Sequence, residues 1–210
     1  MRIRGRQCSR APPLHSRLTR GRHCPCSLSY RCRHRPPTDP PMPPIQTDRL
    51  VLNELTADDA GFILELLNEP SFIDNIGDRG VRDLDSAVRY ILDGPVQSYA
   101  RNGYGLWRVD LRDSGEAIGM CGLLKRDTLP DPDLGYAFLP RHWSRGYAVE
   151  SGTAVLQHAR NALALPRVLA ITIPDNRSSI KVLERLGLRF ERMIRIGEDD
   201  LRLFSTEPGE

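Results

Sequence analysis

The sequence predicts an α/β fold in which helices are layered on one central mixed sheet, and three neighbouring stretches carry that prediction. Residues 133–140 alternate like a strand, which ends at Pro140 because proline lacks a ladder donor. Apolar residues then recur at helical spacing from Ala148 to Leu163. Residues 167–173 form a short apolar run between prolines, which is typical of a buried strand parallel to the first. Strand, helix and strand make a βαβ unit.

Elements on both sides of this unit complete the predicted sheet and its helices. Thr56 caps a helix that ends before Pro70, and a second helix begins near Asp83. With the helix after residue 146 and one further helix described below, about four helices are expected. Further strands are predicted at residues 104–111, 116–124, 188–195 and 200–206.

The loop that leads into the helix of the βαβ unit has the chemistry of a phosphate site. A helix start exposes backbone N–H groups and carries roughly +0.5 of dipole charge, which favours an anion. Gly146 lets the backbone approach a ligand closely, and Ala148 leaves the first turn unobstructed. We therefore place a diphosphate on the amides of Ser144, Arg145, Gly146, Tyr147 and Ala148.

A second helix begins at the same edge of the predicted sheet. Asp175 or Asn176 is its N-cap, Ser179 lies in its first turn, and Gly187 is its C-terminal stop. Two adjoining elements thus begin with small or polar residues at one edge. That arrangement is what binding a long, phosphate-bearing ligand at two points would require.

Several short motifs occur in a fixed order along residues 45–206. They are Thr47–Leu52, Gly135-Tyr136, Trp143, Gly146-Tyr147-Ala148 with Glu150, Asn176 with Ser179, and Leu183–Leu188. In this order they resemble the GNAT superfamily of acetyl-CoA-dependent N-acetyltransferases, and most of all its ribosomal-protein N-terminal acetyltransferases. Trp143 stands where many members carry Gln or Arg, and Leu188 replaces the usual Phe.

The resemblance implies a fold and a co-substrate. The expected sheet is mixed and mostly antiparallel, has six to seven strands, and is splayed between its fourth and fifth strands. The pantetheine arm of acetyl-CoA would enter that splay along Phe138 and Leu139. Asn176 and Ser179 resemble the side chains that contact the arm in the family. No metal is expected.

Acetyl transfer to an amine also needs the amine to be neutral, and Asp133 is the candidate base. It stands where relatives often carry Glu, and it would accept the proton through water. The alternative interpretation is an exposed carboxylate at the start of a strand. Many relatives use a Tyr as the acid for the leaving thiolate, but the corresponding residue here is Leu183.

The first 44 residues differ in composition from the rest of the chain. They hold ten arginines and one acid, Asp39, a net charge of +9, which leaves −6 on the remainder because the whole chain carries +3. With nine prolines and almost no apolar run, they are expected to be a disordered extension. It could be a mis-assigned start ahead of Met42, a nucleic-acid arm, a transit peptide or a metal knuckle. The acetyltransferase domain is predicted over residues 45–210.

The cysteines favour a reducing compartment. Cys24 and Cys26 are one residue too close for the usual zinc pair, and Cys8 and Cys32 complete the set in the extension. Cys121 is predicted to be a core residue. With no apolar stretch of the ~20 residues that span a bilayer, a cytoplasmic location without membrane contact is expected.

The resulting functional hypothesis is an enzyme that moves acetyl from acetyl-CoA to a primary amine by direct attack in a ternary complex. The acceptor would be a peptide N-terminus or a small molecule, bound near loops at residues 70–82 and 94–104. The protein would be a monomer or a homodimer, and nucleic acid is not the expected partner. Two alternatives are a non-catalytic acyl-CoA sensor and a nucleic-acid-associated protein that uses the basic extension.

Overall fold

Eight strands form one sheet within residues 42–206, the part of the chain that the computed structural model describes. The predicted extension and its four cysteines fall outside this part, except for residues 42–44. The strands are β1 (Ile45–Gln46), β2 (Leu50–Glu54), β3 (Leu106–Leu111), β4 (Ala117–Leu124), β5 (Asp133–Phe138), β6 (Leu169–Thr172), β7 (Arg189–Ile196) and β8 (Asp199–Ser205). The strands β3 to β8 follow the predicted ranges, β2 overlaps the Thr47–Leu52 motif, and the two-residue β1 is additional.

The sheet is antiparallel except at one junction. Its strand order is β1-β2-β3-β4-β5-β6-β8-β7, and only β5 and β6 run parallel, as predicted. They share a single pair, Asp133 with Leu169, which are the first residues of the two strands. The strands therefore separate toward their carboxyl ends and leave an opening, which we call the gap. This is the expected splay, counted from β2 as the first strand.

Six α-helices lie in the same described stretch. They are α1 (Ala60–Asn68), α2 (Pro70–Ile76), α3 (Leu84–Ile91), α4 (Gln97–Asn102), α5 (Tyr147–Asn161) and α6 (Arg177–Arg185). Both helices begin where the sequence predicts: Thr56 forms a capping box with Asp59 ahead of α1, and the Asp83 carboxylate accepts from the Ser86 amide at 2.7 Å ahead of α3. The first two predicted helices are thus confirmed.

The expectation of loops at residues 70–82 and 94–104 was wrong in part, because both stretches contain helices. Pro70 occupies the first position of α2, where its missing N–H costs nothing. Pro95 lies within a π turn over residues 92–96 that continues into α4, and Gly103, with φ of +74°, ends that helix. Proline disrupts the interior of an α-helix, but it is favoured at the first helical position, so its presence does not exclude a helix that begins there.

Two apolar layers cover the two faces of the sheet. The alternation along β5 assigns its residues to both layers. Leu134, Tyr136 and Phe138 pack in the cluster that contains α5, whereas Ala137 and Leu139 pack in the cluster that contains α1 and α3. The strand at the edge of the gap therefore presents different side chains to the two sides of the sheet.

Candidate functional site

The loop at the start of α5, residues 143–148, has the backbone conformation of an anion site. Ser144 and Gly146 adopt left-handed φ values of 60° and 84°, and residues 144–146 are exposed. Such alternation turns successive amides to one side of the chain. The first amides of a helix lack intrahelical partners, and in residues 42–206 no side chain caps those of α5. The five residues predicted to bind a diphosphate thus form one uncapped helix start, which we call the helix-start loop.

The edge of β5 supplies the next part of the site, with one correction. The Leu139 amide donates to the Ile118 carbonyl at 2.9 Å, so the odd-numbered backbone groups of β5 face β4. The even-numbered groups, those of Tyr136 and Phe138, face the gap. Leu139 is also fully buried, so it presents neither its amide nor its side chain to the gap. Of the predicted pair, only Phe138 therefore has backbone groups that face the gap, and Tyr136 shares that orientation.

The rim of the gap is tied to the helix-start loop. The Trp143 indole N–H donates to the Phe138 carbonyl at 2.7 Å. This bond leaves the Phe138 amide as the gap-facing donor. Half of the Trp143 side chain stays exposed beside the loop. Phe138 therefore lies at the edge between the helix-start loop and the gap.

Across the gap, α6 places two of the predicted residues side by side. The Asn176 Oδ1 accepts from the Ser179 amide at 2.9 Å, which confirms Asn176 as the N-cap. This bond commits the amide oxygen of Asn176 and leaves its NH₂ group for a ligand. Leu183, where the family often has a Tyr, is buried and carries no hydroxyl.

The tyrosine of the Gly135-Tyr136 motif bridges β5 to α6. The Tyr136 hydroxyl lies 2.8 Å from Ser179 Oγ and donates to the Ser179 carbonyl at 3.2 Å. Burial raises the pKa of Tyr136, so the phenol keeps its proton at neutral pH. The sequence signal for this role was the position of Tyr136 on the face shared with α5, combined with the absent hydroxyl at Leu183.

Asp133 lies at the closed end of the gap, and the interpretation as an exposed carboxylate was wrong. Its side chain is 1% exposed, and Arg126 Nε lies 3.0 Å from each carboxylate oxygen. Burial raises the pKa of Asp133, against the opposing effect of Arg126. Burial, and after it the charge of Asp133, also raise the pKa of Tyr104. By alternation along β5, Asp133 points toward the layer of α1 and α3, opposite to Tyr136.

Two further features bear on metals and membranes. Within the described residues no group of three or more His, Cys, Asp or Glu side chains is arranged to hold a metal ion. Over the same stretch, every helix is too short or too polar to cross a bilayer. Cys121 is fully buried, which raises the pKa of its thiol to about 12, and it is a core residue as predicted.

Known proteins share this architecture. The chain matches the family description Acetyltransferase (GNAT) domain over residues 49–189. A Bacillus subtilis protein named as an uncharacterized N-acetyltransferase, YoaA, is 27% identical over 154 residues, which cover 73% of this chain and 86% of that protein. The crystal structure of an acetyltransferase from Agrobacterium tumefaciens has a TM-score of 0.68 at 28% identity, over 79% of this chain and 95% of that one.

A more distant structure supports the fold alone. RimL, a ribosomal-protein α-N-acetyltransferase solved with coenzyme A, has a TM-score of 0.69 at 15% identity, over 79% of this chain and 98% of its own. The family match covers more than half of the chain and includes the helix-start loop, both strands beside the gap and all of α6. The chain therefore belongs to the GNAT family of acetyltransferases.

Proposed function

We propose that this acetyltransferase transfers acetyl from acetyl-CoA to a primary amine by direct attack within a ternary complex. The observation that carries the proposal is the uncapped helix-start loop at the mouth of the gap between β5 and β6. The loop offers amides to a diphosphate, and the gap offers the free edge of β5 to an extended arm. RimL, which shares the fold, was solved with coenzyme A.

The edge of β5 is suited to hold a thioester. The gap-facing amide of Phe138 is a donor that would stabilise negative charge as it develops on the carbonyl oxygen. On the far side of the gap, Asn176 and Ser179 hold the arm from α6. Backbone amides need no reorganisation during the reaction, which is why they serve both binding and carbonyl polarisation.

The chemical step forms a C–N bond and breaks a C–S bond. The amine nitrogen attacks the thioester carbonyl carbon, and the thiolate departs with the electron pair of the C–S bond. The nitrogen loses one proton and the thiolate gains one. Tyr136, whose protonated hydroxyl lies beside Ser179, is the proposed donor of the proton to the thiolate.

Asp133 is the proposed acceptor of the amine proton. It lies three residues from Tyr136 along β5, a separation of about 10 Å for an extended strand. It also points to the opposite face of the sheet, toward α1 and α3. The amine would therefore lose its proton on one side of the sheet, and the thiolate would gain one on the other. The distance requires that the proton reach the carboxylate through water.

The basicity of the acceptor favours an α-amine over a lysine side chain. An α-amine, with a pKa of about 7.7–8.0, is roughly 10–20% neutral near pH 7, whereas a lysine amine, at about 10.4, is under ~1% neutral. A single buried carboxylate paired with Arg126 is a modest base, so an acceptor that needs little deprotonation fits it better.

A free-thiol release assay with acetyl-CoA and a panel of amines tests the proposal. Peptide N-termini and small α-amines should be acetylated faster at pH 7 than lysine side chains, and the difference should narrow as the pH rises. Calorimetry with coenzyme A on the full chain is the control for binding. Absence of binding would overturn the proposal, while binding without turnover of any amine would favour a non-catalytic acyl-CoA sensor.

A further inference from the structure

A carboxylate in the first turn of α5 is hydrogen-bonded to residues near the beginning of the domain's sequence. Glu150 Oε1 accepts from Thr47 Oγ1 at 2.6 Å and from the Arg49 amide at 2.9 Å. Its Oε2 lies 2.7 Å from Arg49 Nε and 2.6 Å from Arg49 Nη2. Thr47 and Arg49, in the turn between β1 and β2, therefore occupy both oxygens of this carboxylate. They lie about a hundred positions from Glu150 in the sequence.

Arg49 also contacts the helix-start loop directly. Its Nη1 donates to the Arg145 carbonyl at 3.1 Å, and its guanidinium lies 4.8 Å from the centre of the Tyr147 ring. A Cβ built on Gly146 would be 3.5 Å from Arg49 Nη2. One planar side chain thus reaches Glu150 and three consecutive loop residues.

The bond to the Arg145 carbonyl has a geometric consequence. A trans peptide is planar, and its C=O and N–H point in opposite directions. Because Arg49 holds the carbonyl of the 145–146 peptide, the N–H of Gly146 points away from Arg49. The diphosphate is proposed to bind on that side of the helix-start loop.

The charges at this point oppose each other. A carboxylate in the first turn stabilises the helix dipole, but it would repel a bound diphosphate at the same helix start. Arg49 offsets that repulsion, since its guanidinium pairs with the carboxylate and keeps half of its own side chain exposed. With the charge of Glu150 paired to Arg49, the helix dipole and the loop amides would attract the diphosphate without opposition from the carboxylate.

From these contacts we propose that Arg49 is a positioning residue for the coenzyme diphosphate. It fixes the 145–147 backbone in its binding conformation and neutralises Glu150, without itself taking part in acetyl transfer. The inference rests on the proposed function, because it assumes that the helix-start loop binds acetyl-CoA. A residue that only fastened β2 to α5 would show the same contacts but would not distinguish ligands with and without a diphosphate.

The experiment compares two acetyl donors on two variants of the full chain. Acetyl-CoA carries the diphosphate, and S-acetylpantetheine lacks it. Arg49→Ala should lower kcat/KM for acetyl-CoA by about tenfold or more, chiefly through KM, because bonds to charged groups are lost. It should leave kcat/KM for S-acetylpantetheine unchanged. Calorimetry should show the same weakening for coenzyme A.

Arg112→Ala is the matched control. Arg112 is exposed and its Nη1 donates to the Thr47 carbonyl at 3.3 Å, so it binds the same turn without a contact to the helix-start loop. It should change neither donor. Arg49→Lys keeps the charge but loses the planar fork, so a smaller loss confined to acetyl-CoA is expected from it, and it also serves if the alanine variant does not fold.

The outcomes separate the two proposals. If the unaltered protein does not bind coenzyme A, the proposed function fails. If it binds, and Arg49→Ala either binds equally well or loses both donors to the same extent, the role of Arg49 in positioning is overturned while the proposed function stands.

Discussion

The two ends of the gap between β5 and β6 differ in the chemical groups that they present. At its mouth, the helix-start loop is exposed and offers backbone amides, so its chemistry depends on conformation more than on side chains. At its closed end, Asp133 is 1% exposed and depends on a side-chain partner, Arg126. The mouth is suited to bind an anion through its backbone amides and the helix dipole. The closed end instead holds a carboxylate that is removed from solvent.

Substitutions at the two ends should therefore have different effects. Changes at the mouth should alter coenzyme affinity and leave the pH dependence of kcat alone, because the loop would bind through its backbone amides. Changes at the closed end should alter turnover and its pH dependence while coenzyme affinity is preserved.

The largest expected effect is on turnover, from Asp133→Asn. Loss of a general base costs about 10²-fold or more at neutral pH. Because burial raises the pKa of Asp133, the carboxylate of the unaltered enzyme is lost as the pH falls through that raised value, and kcat should fall with it. The variant should lose this acidic limb, and its deficit should shrink at high pH, where the amine is already neutral. Rate profiles against pH measure both.

Asp110→Asn is the control for this prediction. Asp110 is 4% exposed and its oxygens lie 2.8 Å from Arg108 Nε and Nη2, so it is also a buried carboxylate paired with an arginine. It lies on β3, away from the gap. It should lower stability without changing the pH profile of kcat. A ratio of Asp133→Asn to unaltered rates that stays flat across pH would remove Asp133 from the mechanism.

The next effect is on affinity, from Gly146→Val. Gly146 has φ of +84°, a conformation that a β-branched residue rarely adopts, so the loop must change its backbone to accept valine. Coenzyme A should bind at least about tenfold more weakly by calorimetry, since each 1.4 kcal/mol of strain is a factor of ten. Gly197→Val is the matched control, because Gly197 has φ of +63° in the turn between β7 and β8, at the opposite edge of the sheet from β1 and β2. Equal affinity in both variants would contradict a site at the helix start.

The same two ends show what sequence could and could not predict. The helix-start loop was predictable because Gly146, Tyr147 and Ala148 act through local backbone geometry and the start of an amphipathic helix. The caps at Asp83 and Asn176 were predictable for the same reason. In each case cause and effect lie within a few residues of each other.

The missed features are those that depend on tertiary contacts. The burial of Asp133 follows from the way Arg126 and the neighbouring strand cover it, and the pairing of Arg49 with Glu150 joins residues 101 apart. The bridge from Tyr136 to Ser179 crosses 43 residues and needs the gap itself to exist. Local pattern places such residues on a strand or a helix, but their partners appear only when the chain is folded.

A smaller effect is expected from Tyr136→Phe, which tests the gap between its two ends. If the hydroxyl beside Ser179 supplies the thiolate proton, kcat should fall by roughly tenfold while coenzyme affinity stays the same. Tyr99→Phe is the control, because the Tyr99 hydroxyl is also buried and accepts from the Leu55 amide at 3.0 Å in the layer of α1 and α3. It should lower the free energy of unfolding and leave kcat intact. A fall in affinity without a fall in kcat would make Tyr136 a binding residue only.

The smallest effect concerns stability at the mouth, through Glu150. Burial alone would raise the pKa of Glu150, but hydrogen bonds from Thr47 and Arg49 outweigh it and hold the pKa below the usual 4.5. A carboxyl whose pKa is lower in the folded than in the unfolded state stabilises the protein at pH values above the unfolded-state pKa. This stabilisation is lost as the pH falls through the folded-state pKa.

Glu150→Gln should therefore lower Tm at pH 7, and this decrease in Tm should become smaller below about pH 4.5, as measured by thermal unfolding across pH. Thr47→Val removes the hydrogen bond to Glu150 and two to the Leu50 backbone but keeps the charge, so its deficit should shrink less on acidification. An effect of Glu150→Gln that is constant with pH would mean that the contacts of Glu150 act through shape, and the charge balance inferred for Arg49 would lose its support.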